Sequence, residues 1–228
     1  MNGFGIHPSE KLNVLYQKKA YQGQDPYKAK ILFLSLDANW DYDIEQSPAW
    51  PYVIEYLQDG VAFWKKYEIH HPMLLDTYQG SGKTFHRSFQ QLGLDSGYAE
   101  KISFIELYGK PTYGVSSKDA GFKDMVINQD THYLDWLKDI LLNSEGKTIF
   151  TAKTVYKFLY ENQNAILGQR ILKQPDYAIN AADFTHITLG INTLIPVYHF
   201  SYIPVYMGNE LREPYYTEYR NQIDSALK

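Results

Sequence analysis

The run Ile31-Leu32-Phe33-Leu34-Ser35-Leu36 ends abruptly in Asp37-Ala38-Asn39-Trp40-Asp41-Tyr42-Asp43, and this junction constrains the chain more than any other segment. An apolar stretch of that length, bounded by polar residues, reads as a buried strand that delivers a carboxylate to the rim of a sheet. Open α/β sheets bind ligands beyond the carboxyl ends of their strands, where helices diverge and loops can surround a substrate. Asp37 is therefore the leading catalytic candidate.

The flanking segments supply the rest of such a sheet. Ser9 to Tyr21 carries Leu12, Leu15 and Tyr16 on one helical face, with Ser9 placed as an N-cap. Pro51 to Tyr67 has helical spacing interrupted at Gly60, and Thr84 to Leu92 reads as a helix stopped by Gly93. Further strands are expected at about 102–107, 148–151 and 187–189, and further helices at 131–142, after Thr151 and over 215–227. Residues 108–122 read as a long loop because of their Gly, Pro and Ser content.

Strands alternating with helices imply parallel pairing through right-handed crossovers. The expected fold is α/β, a three-layer α/β/α sandwich around a mainly parallel four-stranded sheet. One domain over residues 1–228 is expected, with a helical extension over about 1–29.

Composition removes several kinds of chemistry. With no cysteine in 228 residues, disulfides, thiolate metal sites, iron–sulfur clusters and cysteine nucleophiles are excluded. No apolar run approaches the roughly 20 residues that span a bilayer, and no signal-like segment opens the chain, so a soluble intracellular protein is expected. The net charge of −4 works against non-specific attraction to a polyanion. Lys18 with Lys19, Lys65 with Lys66, and the Lys147, Lys153 and Lys157 region are the local basic clusters, each read as a solvated face. Twenty-one tyrosines suit a wet cleft or a stacking surface, although packing accounts for most of them.

Three motifs point to other chemistries. Gly80-Ser81-Gly82-Lys83-Thr84 resembles the end of a phosphate-binding loop, but Thr77 stands where its first glycine belongs and no strand leads into it. Asp37, Asp41 and Asp43 could gather Mg²⁺ for phosphoryl transfer, or be exposed loop aspartates. His70-His71 makes a poor chelate by itself and reads as a loop or surface pair.

The segment Phe104-Ile105-Glu106-Leu107-Tyr108-Gly109-Lys110-Pro111-Thr112, followed by Ser116-Ser117-Lys118, resembles the strand and loop of mismatch-specific uracil/thymine-DNA glycosylases. Gly80 to His86 leading to Leu92-Gly93-Leu94 is similar to that family's glycine loop and aromatic helix, and Ala152-Lys153-Thr154-Val155-Tyr156 to its turn after a strand. His199-Phe200-Ser201 keeps two of three residues of its final His-Pro-Ser motif. The order of these segments resembles the uracil-DNA glycosylase superfamily over about residues 30–204. Ser35 and Ala38 stand where the family has glycine and proline. Gly23-Gln24-Asp25-Pro26-Tyr27 resembles a water-activating motif but precedes the buried strand, so Asp25 is assigned to an ordinary turn.

The resemblance implies hydrolysis of the N-glycosidic bond of a flipped base, with DNA bearing a damaged or mismatched base as partner, and no cofactor or metal. Asp37 would stabilise the cationic sugar and orient water, and His199 would hydrogen-bond the departing base. Leu36, Trp40, Tyr42, Phe85 and Glu106 would bind the base; Lys110, Thr112, Lys153, Ser201 and Tyr202 would meet the DNA. An ionised Glu106 accepts hydrogen bonds without donating, which favours a base with an exposed amino group. An inactive nucleic-acid-binding relative and a Mg²⁺-dependent nucleotide enzyme are the alternatives.

Overall fold

The structure is a computed structural model that describes residues 3–116, 119–174 and 184–228, without the side chain of Tyr206. Ser117 and Lys118 lie outside the described residues. Seven strands are present among them: β1 (Gly5–Ile6), β2 (Tyr21–Gly23), β3 (Ile31–Asn39), β4 (Ile102–Tyr113), β5 (Thr148–Ala152), β6 (Ile187–Leu189) and β7 (Asn192–Val197). They form one mixed sheet in the order β1-β4-β3-β5-β7-β6, with β2 also on β4.

The four central strands, β4, β3, β5 and β7, run parallel, as the alternating sequence pattern implies. The sheet is larger than four strands, however, and its edges are antiparallel. Ile187–Leu189, expected as the fourth strand, is the outer arm of a hairpin; Asn192–Val197 is the fourth parallel strand. Gly190, at φ +62°, makes the two-residue turn between them.

The helices are α1 (Glu10–Lys18), α2 (Trp50–Gln58), α3 (Gly60–Tyr67), α4 (Lys83–Gln90), α5 (Phe122–Ile127), α6 (Thr131–Leu142), α7 (Lys153–Glu161), α8 (Gln163–Leu167), α9 (Ile203–Tyr206) and α10 (Asn209–Ala226). Ser9 caps α1 by accepting the Leu12 N–H at 3.0 Å. The interruption at Gly60 divides the expected helix in two: Asp59 ends α2 and caps α3 through the Ala62 N–H.

Strand alternation assigns the core. Leu32 and Leu34 of β3 join an apolar cluster with Leu137, Ile140 and Leu141 of α6 and Val155 and Leu159 of α7. Ile31 and Phe33 point the other way, into a cluster with Trp64 of α3, Phe89 of α4 and Tyr215, Tyr219 and Ile223 of α10. Helices thus cover both faces of the sheet. A third cluster, around Leu12, Tyr16, Trp40, Val53 and Tyr56, ties α1 and α2 to the end of β3.

Residues 3–29 are not an appended helix, because β1 and β2 both pair with β4 and α1 buries Leu12 and Tyr16. Lys147 is not part of a solvated face either. It is 3% exposed, and its ammonium donates to the carbonyls of Tyr27 and Ala29 at 3.1 and 2.7 Å. Among the described residues no helix is long and apolar enough to cross a membrane.

Candidate active site

The polar tail of the opening strand is paired. β3 continues through Asp37 to Asn39 beside β4, and a register shift between Asp37 and Ala38 skips Gly109 and Lys110 on the partner strand. That irregularity carries β4 through its Gly-Lys-Pro segment to Tyr113, so residues 108–113 are strand where a loop was expected. It also sets Thr112 beside Asp37. The Thr112 and Ser116 hydroxyls both donate to the Asp37 carboxylate, one to each oxygen.

Asp37, Glu106 and His199 line one cavity of about 240 Å³ at the carboxyl ends of the parallel strands. Trp40, Phe85 and Phe104 add aromatic wall, and Ser201 also lines it. Six of the expected site residues therefore meet: Asp37, His199, Trp40, Phe85, Glu106 and Ser201.

The two carboxyls differ in support. Burial raises the pKa of Asp37, while hydrogen bonds from Ser116, Thr112 and Asn39 oppose that rise. Glu106 is 6% exposed, and its side chain accepts no hydrogen bond from a described residue. Burial, then the charge of Asp37, push its pKa up to about 8. Asp37 therefore ionises first, and Glu106 keeps its proton at neutral pH. The acceptor-only role expected for Glu106 is corrected accordingly: a neutral carboxyl offers one donor and one acceptor.

The imidazoles are neutral, and backbone donors fix the tautomers of His199 and His71. The Ser201 N–H donates to Nδ1 of His199 at 3.3 Å, which leaves the His199 proton on Nε2. Burial lowers the His199 pKa. Phe85 lies against this ring, with centroids 5.3 Å apart.

His70 and His71 are buried in the cavity wall, 3% and 7% exposed, not on the surface. His86 joins them: its Nδ1 lies 3.0 Å from Nε2 of His70, and its ring stacks on His71 at 3.7 Å. Burial drives all three pKa values down, His86 to about 3. The Met73 N–H donates to His71 Nδ1, so His71 Nε2 carries a proton. Tyr16 accepts from Trp40 Nε1 and Gln22 Nε2, which leaves its own hydroxyl hydrogen as a donor beside Glu106.

Sequence reasoning missed the cavity roles of Tyr16, Tyr56, His70, His71 and His86. The only signal was the apolar surroundings of the histidine pair, Ile69 before it and Pro72-Met73 after it, which are unusual for an exposed loop.

Several expected contacts lie elsewhere. Leu36 faces the opposite side of β3 and packs against the first core cluster. Tyr42 is 43% exposed in a shallow depression with Tyr113, outside the cavity. Thr112 is fully buried, so it positions Asp37 and is not available to a phosphate. Lys110 lines a different cavity at the sheet edge. Lys153 sits over the Tyr198 ring at 4.5 Å, and exposed Tyr202 lies against His199 with centroids 5.4 Å apart. Phe200 is anchored in the core, parallel to Tyr219 at 5.3 Å, and does not project from its loop.

The competing motifs take ordinary places. Gly82, at φ +90°, turns the chain into α4 with no preceding strand, and a Cβ there would meet the Met73 sulfur at 2.6 Å. Asp25 accepts the Tyr27 N–H in a turn at the start of β3, the opposite end from Asp37. Asp37, Asp41 and Asp43 do not assemble into a metal-holding group, and no such group of three or more occurs among the described residues.

No protein-family model matches the chain, and no curated protein sequence matches it.

Proposed function

We propose that this protein is a DNA glycosylase-like hydrolase that cleaves the N-glycosidic bond of a flipped damaged or mismatched base. The convergence of Asp37, Glu106 and His199 on one aromatic-walled cavity carries the reading. During cleavage the sugar becomes cationic and the base departs as an anion, so the site needs a carboxylate on one side and donors on the other. Asp37 stabilises the sugar and orients water. His199 donates through Nε2, and neutral Glu106 donates to or accepts from the base edge.

Two carboxyls that burial raises, of which only Asp37 is supported by hydrogen bonds to its ionised form, suit this division of labour. Phe85 and Trp40 provide the apolar walls against which an extruded base regains part of its lost stacking. The test is abasic-site formation on single- and double-stranded DNA carrying uracil, thymine mismatches or damaged adenine or cytosine. Activity with at least one substrate, falling by about 10²-fold or more in Asp37→Asn, is expected. Tight DNA binding without excision would instead favour the inactive relative, and Mg²⁺-dependent turnover of free nucleotides the phosphoryl-transfer enzyme.

One observation favours a second substrate for the same chemistry. Among the described residues no lysine or arginine lines the cavity, and the adjoining depression contains Asp41 and Asp119. A phosphate backbone gains little from such a lining, whereas a free nucleoside needs no cation there. Release of base from free nucleosides at a rate exceeding that from DNA would select this reading.

A further inference from the structure

The outer edge of β4 is covered unevenly. β2 pairs with Ser103–Ile105 and β1 with Thr112–Tyr113, so among the described residues no strand covers the stretch between them. A cavity of about 520 Å³ occupies this gap, walled by the end of α1, the start of β2 and the N-terminal part of α6. A peptide strand is not needed to complete the edge. The Gln129 side chain donates to the Leu107 carbonyl at 2.7 Å and accepts the Gly109 N–H at 2.9 Å, satisfying the exposed backbone itself.

The cavity's chemistry is cationic and aromatic. Lys18, Lys19 and Lys110 all line it, and none forms an ion pair with a described residue. The one lining carboxylate among the described residues, Asp130, caps α6 through the His132 N–H at 2.8 Å. Lys19 is half-buried, and burial lowers its pKa, with Asp59 partly offsetting that effect. Lys19, whose ammonium lies 5.0 Å over the Tyr21 ring, shares the cavity with Lys18 and Lys110, and three lysines lining one cavity in a chain of net charge −4 are best complemented by an anion. Beside them the Tyr21 and Trp136 rings lie within 21° of parallel, and Tyr133 packs on Trp136 at 5.3 Å.

We propose that this edge cavity is a second ligand site, separate from the Asp37 cavity, that takes a nucleotide: a phosphate ester near Lys18, Lys19 and Lys110, with its planar heterocycle against Trp136 and Tyr21. Phosphate alone would use only the lysines, and a nucleoside only the rings. The two sites are neighbours in the fold. Tyr16 lines both cavities, and the Tyr133 hydroxyl donates to the Glu106 carbonyl at 2.7 Å. The proposal is independent of glycosylase activity.

Calorimetric titration of the full chain with adenosine monophosphate, adenosine, inorganic phosphate and a short single-stranded oligonucleotide tests it. Adenosine monophosphate should bind at least about tenfold more tightly than adenosine or phosphate, and Lys19→Gln/Lys110→Gln should weaken it by about as much. Trp136→Ala should also weaken binding, Trp136→Phe should largely restore it, and Asp37→Asn should leave it unchanged. If the oligonucleotide binds more tightly and responds to the same substitutions, the nucleotide source is a strand; if less tightly, it is a free nucleotide. No binding, binding indifferent to the lysine substitutions, or binding lost in Asp37→Asn would overturn the site.

Discussion

The Asp37 carboxylate accepts hydrogen bonds from Thr112 and Ser116, whereas the Glu106 carboxyl, facing the same cavity, accepts none from a described residue. The difference originates in strand register. The irregularity after Asp37 brings the Thr112 hydroxyl alongside it, while Glu106, paired with Ser35, precedes the irregularity. A supported carboxylate beside an unsupported acid fixes which of them can stabilise positive charge and which can donate.

Glu106 should make the fold alkali-sensitive. Its folded pKa, about 8, lies above the ordinary glutamate value of 4.5, so the native state retains a proton that the unfolded chain releases. This contribution is intact below about pH 4.5 and is lost as pH rises towards 8, with a limiting slope of about 1.4 kcal/mol per pH unit. Glu106→Gln keeps the shape and removes the titration. Urea unfolding at pH 5 and pH 8 should show the variant gaining on the wild type at the higher pH; an unchanged difference would contradict the assignment.

The histidines act in the opposite direction. Burial holds His70, His71 and His86 below their ordinary value of 6.5, so the unfolded chain takes up protons that the native state refuses. Their stabilisation is complete above about pH 6.5 and is lost on acidification towards the folded value of about 3 for His86. Stability measured between pH 6 and 4 should fall with decreasing pH, and less steeply in His86→Gln. Equal slopes would show that His86 is protonated in the native state.

Much of this arrangement was legible in the sequence where the signal is local. The apolar run placed Asp37 at a sheet rim, Gly60 marked the division between α2 and α3, and the apolar spacing at 131–142 matched α6. Local punctuation failed where tertiary pairing overrode it. Gly109 and Pro111 suggested a loop, but β3 and β1 hold this segment as strand, and Pro196 occupies a parallel strand paired with β5. The histidine wall was illegible because His86 comes from α4 and meets His70 and His71 only through packing. Glu106's protonation was equally hidden, since it depends on burial and on Asp37.

Thr112 should control the acidity of Asp37 without touching a ligand. Its hydroxyl stabilises the ionised carboxylate, and valine preserves the side-chain shape while deleting the donor. Asp37 in Thr112→Val should titrate at a higher pH than in the wild type, because burial then acts with less opposition. The carboxyl carbon shift of Asp37, followed by NMR against pH, reports this directly. An unchanged titration would mean that Ser116 and Asn39 alone set the ionisation of Asp37.

Phe200 should matter to stability before it matters to any ligand. It is 3% exposed, stacks on Tyr219, and meets Phe85 and Phe89 edge-on at 5.2 and 5.5 Å. Truncation to alanine removes these contacts and leaves a void between α4 and α10, at a cost on the order of 3–5 kcal/mol. Because Phe200 is flanked by His199 and Ser201, the void also loosens the loop that aims His199 into the cavity. Phe200→Leu retains more volume and should recover most of the lost stability in chemical denaturation. A Phe200→Ala protein as stable as the wild type would show instead that the ring is not a core anchor, and the fixed position of His199 would need another cause.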